Sequence, residues 1–134
     1  MQNVPVNMVK KICVSILILI FLLLTGCQKY HKLEKDVPVY RGARFERLFA
    51  DNSNKQKKHE LWIVAAPIGD VSKFYQDELE KQKWKKEMVV PSPDGNGYAL
   101  AYIKKKKMLT VILFARAGNE KETYIDFSVA KIPK

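Results

Sequence analysis

Residues 98–132 read YALAYIKKKKMLTVILFARAGNEKETYIDFSVAKI, and most of the predicted sheet comes from this segment. It contains three runs rich in apolar, β-branched and aromatic residues, which is the composition of strands. The predicted strands are 98–104, 108–116 and 123–132. In the last run Ile125, Phe127 and Val129 alternate with polar side chains, as in a strand with one buried face. The linkers are short enough for hairpins, so we expect three consecutive antiparallel strands.

One amphipathic helix is predicted over residues 70–86. Asp70 is a natural N-cap, because it follows Pro67 and Gly69, which break the preceding strand. The apolar side chains of this segment recur on one side of the helix, and they are Val71, Phe74, Tyr75 and Leu79. Acidic and basic residues occupy the opposite side, which favours a stripe that faces the core over one that binds a membrane. Trp84 is expected to close the same core.

Two further strands precede the helix. Apolar residues alternate imperfectly over 45–49, and residues 61–65 are aromatic and β-branched. Turn formers at 51–54 and lysines at 55–58 predict a loop between them. The element order is therefore β-β-α-β-β-β. It predicts an α+β fold, with an antiparallel sheet of about five strands and one amphipathic helix packed on one face.

The same region carries a family resemblance. Residues 38–43 read PVYRGA, and the helix carries Phe74, Tyr75, Glu78 and Leu79 ahead of Trp84. This pattern is similar to small uncharacterised bacterial lipoprotein domains, and the similarity covers most of residues 38–132. The resemblance implies a fold and supplies no function. Such domains often have Gly before the Trp, where this chain has Lys83, so a longer helix is expected here.

The N-terminus has the three parts of an export signal. Lys10 and Lys11 end a polar segment, and an apolar run of 13 residues follows at 12–24. That run is shorter than the ~20 residues of a transmembrane helix. The next residues continue Leu24-Thr25-Gly26-Cys27, which resembles the bacterial lipobox. The alternatives are an uncleaved membrane anchor and a cleaved signal without a lipid.

The lipobox resemblance implies covalent chemistry at Cys27. Diacylglycerol is transferred to the Cys27 sulfur, the chain is cleaved between Gly26 and Cys27, and an N-acyl lipid is added. The other cysteine, Cys13, leaves with the signal, so the mature chain has no second thiol for a disulfide. Two or three acyl chains provide stable membrane anchoring, whereas a single chain is marginal.

Three regions follow from this interpretation. Residues 1–26 are the lipoprotein signal peptide, 27–38 are the lipidated cysteine and a flexible basic tether, and 39–134 are the small α+β domain. The localisation is the cell envelope, with the domain anchored by lipid. Gln28 takes the place of the acidic residue that commonly retains lipoproteins at the inner membrane. If the source is Gram-negative, we therefore expect the outer membrane, with the domain facing the periplasm.

The chain is strongly basic, with 24 basic and 14 acidic residues and a net charge of +10. Because Lys10 and Lys11 lie in the signal, the mature chain has a net charge of +8. A surplus of this size favours anionic partners such as lipid headgroups or envelope polymers. The alternative is a soluble, lysine-rich surface without a dedicated partner.

The densest positive charge is the predicted hairpin turn Lys104, Lys105, Lys106 and Lys107. This run is the candidate contact for an anionic surface. Aromatic and basic surfaces also bind nucleic acid, but an exported protein rarely meets any, so no nucleic acid partner is expected. Lysines at strand edges also prevent sheet-to-sheet aggregation, which is the structural alternative. The expected partners are the membrane, through the lipid, and an envelope protein or anionic polymer. The oligomeric state stays open.

No catalytic or metal-binding residues are predicted. Zinc needs three or four convergent ligands, and the mature chain offers His31, His59 and no thiol besides Cys27. The chain has no GxSxG motif and no P-loop. No cofactor is expected apart from the lipid on Cys27. The sequence therefore favours a non-enzymatic binding or assembly module. The alternatives are an envelope hydrolase acting on wall or lipid material and a small-ligand carrier.

Overall fold

The structure, a computed structural model, describes residues 30–51 and 54–133. Within these ranges it contains one helix, α1, over Ile68–Lys81. The strands are β1 Arg44–Asp51, β2 Asn54–Val64, β3 Lys85–Pro91, β4 Gly97–Lys104, β5 Lys107–Arg116 and β6 Asn119–Lys131. No helix of these ranges is long and apolar enough to cross a membrane.

All six strands form one antiparallel sheet in the order β1-β2-β6-β5-β4-β3. Consecutive strands are joined by hairpins except between β2 and β3, where α1 makes the crossover. The helix therefore passes over one face of the sheet and contacts β3, β4, β5 and β6. This arrangement confirms the predicted α+β class and the antiparallel sheet with a helix on one face. The predicted number of about five strands was one short.

The strand missing from the prediction is β3, whose first residues were assigned to the helix. The helix ends at Lys81, five residues earlier than predicted. Lys83 adopts a left-handed backbone with a φ of 66°. The Trp84 N–H donates to the Leu79 carbonyl oxygen at 2.9 Å, and the Lys83 N–H donates to Glu80 at 3.0 Å. These two hydrogen bonds form a Schellman motif, which ends the helix and redirects the chain into β3.

The start of the helix also differs from the prediction. Pro67 occupies the N-cap position and has an extended backbone, and the helix begins at Ile68. Asp70 lies in the first turn, where a carboxylate interacts favourably with the helix dipole. Proline is suited to this position because its missing N–H would have no partner within the helix.

The first hairpin is longer than the sequence predicted. Residues 55–58, expected in a loop, belong to β2. Glu60, Trp62 and Val64 alternate along β2 toward the face covered by α1, and all three are buried. Within this part of β2, Asn54 pairs with Asp51 of β1, and Lys58 pairs with Ala50 of β1 and Val129 of β6.

The core lies between α1 and the sheet. The helix contributes Val71, Tyr75 and Leu79, all fully buried. The sheet residues that pack against them include Leu100, Tyr102, Leu109, Val111, Leu113, Ile125 and Phe127. Trp84 is also buried and belongs to the same cluster. The opposite face of the sheet has no covering element within the described residues and carries exposed apolar side chains such as Ile112 and Phe114.

Candidate functional site

The lysine run that was predicted as a contact for anions forms the β4–β5 hairpin. Lys104 ends β4 and Lys107 begins β5, so the two lie directly opposite each other. Lys105 has a left-handed backbone with a φ of 57°, and it forms the turn with Lys106. Like charges placed opposite each other across two strands destabilise a sheet. This hairpin therefore requires counter-charges.

Two carboxylates from residues 30–38, called here the N-terminal segment, supply these counter-charges. Lys104 Nζ donates to Asp36 and, at 2.7 Å, to the carbonyl oxygen of Gln82. Lys107 Nζ donates to Glu34 Oε2 at 2.7 Å. Burial raises the pKa of Asp36, but hydrogen bonds with Lys104 and Glu34 outweigh it and lower the pKa below 3.8. Two of the four lysines are thus neutralised, while Lys105 and Lys106 are exposed.

The N-terminal segment differs from the flexible tether that the sequence predicted over 27–38. Tyr30 and Pro38 form an antiparallel bridge, so the segment folds back on itself. Val37 is completely buried and belongs to the core cluster. The segment therefore packs on the domain, because Val37 joins the core and two carboxylates pair with the lysines of the hairpin. Residues 27–29 lie outside the described part of the chain.

The segment also makes a fully buried pair between His31 and Glu60. His31 Nδ1 lies 2.9 Å from Glu60 Oε2, and His31 Nε2 lies 3.1 Å from the carbonyl oxygen of Pro38. The backbone N–H of Lys32 donates to Glu60 Oε1 at 2.5 Å. Because a carbonyl oxygen can only accept, His31 Nε2 carries a hydrogen, and one further proton lies between Nδ1 and the carboxyl group. The pair is thus satisfied at both ring nitrogens and both carboxyl oxygens.

Aromatic contacts surround this pair. The centroid of the His31 ring lies 3.8 Å from that of Phe127 and 5.3 Å from that of Trp62, and both contacts are edge to face. Lys32 Nζ lies 4.1 Å above the Phe45 ring. The first residues of the segment are therefore held by packing as well as by hydrogen bonds.

Glu60 carries a signal of its buried role in the sequence itself. Glu60 lies two residues from Trp62 and four from Val64, in phase with the buried side of β2. An acidic residue at a core-facing position requires a buried partner. The chain has two histidines, and one of them, His31, lies in the segment predicted as a flexible tether.

A small cavity of about 110 Å³ lies between the N-terminal segment and the lysine hairpin. Its walls include Asp36, Trp84 and Lys105. Trp84 Nε1 and Asp36 Oδ1 are buried and have no hydrogen-bond partner among the described residues. A donor and an acceptor thus line the same polar cavity.

The other histidine lies on the open face of the sheet. His59 Nδ1 lies 3.0 Å from Asp126 Oδ1, and its ring stacks on Phe49. His59 thus makes a pair with a single carboxylate. Across residues 30–51 and 54–133, no group of three His, Cys, Asp or Glu side chains could hold a metal ion.

The predicted lipidation site lies elsewhere in the chain. Cys27 and the cleavage residue Gly26 fall outside the described residues, so the structure describes neither. No family model, curated protein or solved structure matches the chain.

Proposed function

We propose that this chain is a lipid-anchored cell-envelope protein whose α+β domain is a non-enzymatic binding or assembly module. The observation that carries the proposal is the order of residues 10–27. Lys10-Lys11, the apolar run 12–24 and the lipobox ending in Cys27 follow one another as lipid attachment requires. Cys27 carries the diacylglycerol and the N-acyl lipid.

The position of the domain relative to Cys27 supports this role. Tyr30, the first described residue, follows Cys27 by three residues. Three residues span at most about 11 Å, at ~3.6 Å per residue. Since His31 and Val37 are buried in the domain, the anchored domain is held close to the bilayer surface. In a Gram-negative cell this surface is the periplasmic side of the outer membrane.

The charge of the mature chain supports a binding role. Its net charge of +8 favours association with an anionic polymer or an acidic envelope protein. Lys105 and Lys106 extend this charge into solvent at the hairpin. A pull-down from envelope extracts at low and high salt tests the binding role. We expect partners that are retained at low salt and released at high salt, and failure to retain any partner at either salt concentration contradicts it.

The anchor is tested by Cys27→Ser with Cys13→Ser as the matched control. Only Cys27 occupies the lipobox position, whereas Cys13 lies inside the apolar run. We expect Cys27→Ser to accumulate as an unprocessed chain without incorporated fatty acid label. Cys13→Ser should mature normally, with the intact mass of a lipidated chain beginning at residue 27. Normal maturation of Cys27→Ser contradicts the proposal.

A further inference from the structure

A basic groove lies at the end of the sheet beside the N-terminal segment. It has a volume of about 740 Å³. One wall is formed by Leu33 and Glu34, and the basic residues around it are Lys57, Lys58, Lys107 and Lys131. Glu34 is the one acidic residue of the lining, so the groove carries a positive excess.

Strand register explains why three of these lysines, Lys58, Lys107 and Lys131, lie near one another on one face. Lys58 lies opposite Val129 of β6, which in turn lies opposite Leu109 of β5. The next row on the same face places Lys131 directly opposite Lys107. Leu109 is buried in the core, so this face is the one covered by α1 further along the sheet. The core face of the sheet thus ends in a row of lysines where apolar residues would continue it.

These charges exceed what the fold neutralises. Glu34 pairs with Lys107 at 2.7 Å. Lys57, Lys58 and Lys131 form no ion pair with any side chain in the described ranges. Adjacent like charges cost stability unless an anion lies between them. The groove therefore has the charge of a site for an anionic group.

We propose that the basic groove binds the anionic headgroups of the membrane that holds the lipid anchor. This inference rests on the proposed function, since Cys27 lies six residues before Leu33. Six residues span at most about 22 Å, at ~3.6 Å per residue, so the anchor keeps the groove within reach of the bilayer. The tether raises the effective concentration of headgroups at the groove, so even weak lysine contacts become occupied. The domain is then held in one orientation, with the open face of the sheet available to partners.

The test measures lysine acetylation in the lipidated protein, purified from membranes and reconstituted into vesicles. One set of vesicles contains phosphatidylcholine alone, and the other contains phosphatidylcholine with phosphatidylglycerol. We expect acetylation of Lys58 and Lys131 to slow by about fivefold in the anionic vesicles, the effect of one lysine at an anionic surface. The protection should disappear at high salt. Equal rates in both vesicles overturn the proposal.

Lys131→Glu and Lys121→Glu form a matched pair for this measurement. Both residues are exposed on β6, near its opposite ends, and both variants make the same charge change. Lys131→Glu should abolish the protection of Lys58, and Lys121→Glu should leave it intact. Equal loss in the two variants would indicate a general charge effect and contradict a groove.

Two further measurements distinguish a lipid headgroup from a free anion, and loss of the anchor from loss of binding at the groove. Inorganic phosphate added to neutral vesicles should leave the acetylation rates unchanged. Protection by phosphate alone would assign the groove to a free anion and overturn the lipid proposal. The intact mass of the same sample reports the lipid on Cys27, so loss of the anchor and loss of protection are observed separately.

Discussion

Two fully buried tyrosines of the core differ in one hydrogen bond. Tyr75 Oη accepts the backbone N–H of Tyr40 at 3.1 Å, whereas Tyr102 Oη has no partner among the described residues. Tyr102→Phe should therefore raise the free energy of unfolding by about 1 kcal/mol, because it removes an unsatisfied hydroxyl. Tyr75→Phe should lower it by ~1–2 kcal/mol, because it leaves the Tyr40 N–H unpaired. Urea unfolding of both variants measures the difference, and equal effects would contradict it.

The Tyr102 hydroxyl also makes stability depend on alkaline pH. Burial raises its pKa from 10.0 to about 12, and the charges of Glu80 and Asp77 add to the effect. The folded protein keeps this proton at a pH where the unfolded chain has lost it. Ionisation of this tyrosine in the unfolded chain therefore lowers the free energy of unfolding from about pH 10 toward pH 12, and it has no effect at lower pH.

Tyr102→Phe should remove this part of the decline. Urea unfolding between pH 9 and pH 12 should give a shallower fall of the free energy of unfolding in Tyr102→Phe than in the wild type. An unchanged slope in Tyr102→Phe would show that other groups account for the alkaline behaviour.

Lys83 occupies a position that favours glycine. Its φ of 66° lies in the left-handed region, which costs a side-chain-bearing residue ~1–2 kcal/mol. Lys83→Gly should therefore stabilise the protein by about 1 kcal/mol, with the Schellman hydrogen bonds retained. Lys81→Gly, in the last turn of α1, is the control and should destabilise by ~1 kcal/mol. Thermal unfolding compares them, and destabilisation by Lys83→Gly would contradict the assigned backbone strain.

At the scale of elements, the sequence predicted the strands that alternate and missed the one that does not. The strands β4, β5 and β6 carry regular apolar runs and were found within a few residues. β3 is an edge strand whose residues are mostly exposed, so little burial shapes its sequence. The predicted helix extended into β3 because the helix ends at a lysine in the left-handed conformation, Lys83. Glycine at this position would have indicated the end of the helix, whereas lysine does not.

Only the lysines of the candidate site could be predicted from the sequence, and their carboxylate partners could not. The run Lys104–Lys107 was identified from the sequence, and its position in a hairpin is confirmed. Its partners Glu34 and Asp36 lie about 70 residues away along the chain. No local pattern connects such distant residues, and the N-terminal segment lacks the periodicity of a helix or strand. Its packing depends on a buried histidine that only the folded sheet accommodates.

The attachment of this segment depends on His31 and Glu60 together. His31→Leu leaves the completely buried Glu60 carboxyl group without its partner, which should cost ~3–5 kcal/mol. The double variant His31→Leu and Glu60→Leu replaces the pair with apolar side chains and should recover most of that loss. Chemical denaturation of His31→Leu, Glu60→Leu and the double variant measures the coupling. If the double variant lost as much as the sum of the single variants, the pair would not act as a unit.

At the scale of the whole molecule, two elements cover one face of the sheet. The helix α1 lies over β3 to β6. The N-terminal segment covers the remaining end, where His31 packs on Trp62 of β2 and Phe127 of β6. Val37 of the segment and Tyr75 of the helix belong to the same core cluster. The helix and the N-terminal segment thus pack against one continuous core, and neither half of the sheet has a separate core.

A single core predicts a single unfolding transition, and the two tryptophans can test it. Trp62 lies on β2 and Trp84 precedes β3, so the two report on different ends of the sheet. Neither indole N–H has a hydrogen-bond partner within the described residues, so Trp62→Phe and Trp84→Phe remove packing and no hydrogen bond. In each variant, the fluorescence of the remaining tryptophan should give the same urea midpoint as circular dichroism. If the Trp62 signal in Trp84→Phe changed before the circular dichroism, the N-terminal segment and β1–β2 would unfold as a separate unit. Coincident midpoints in both variants mean that the N-terminal segment, the helix and the sheet unfold as one body, as a shared core requires.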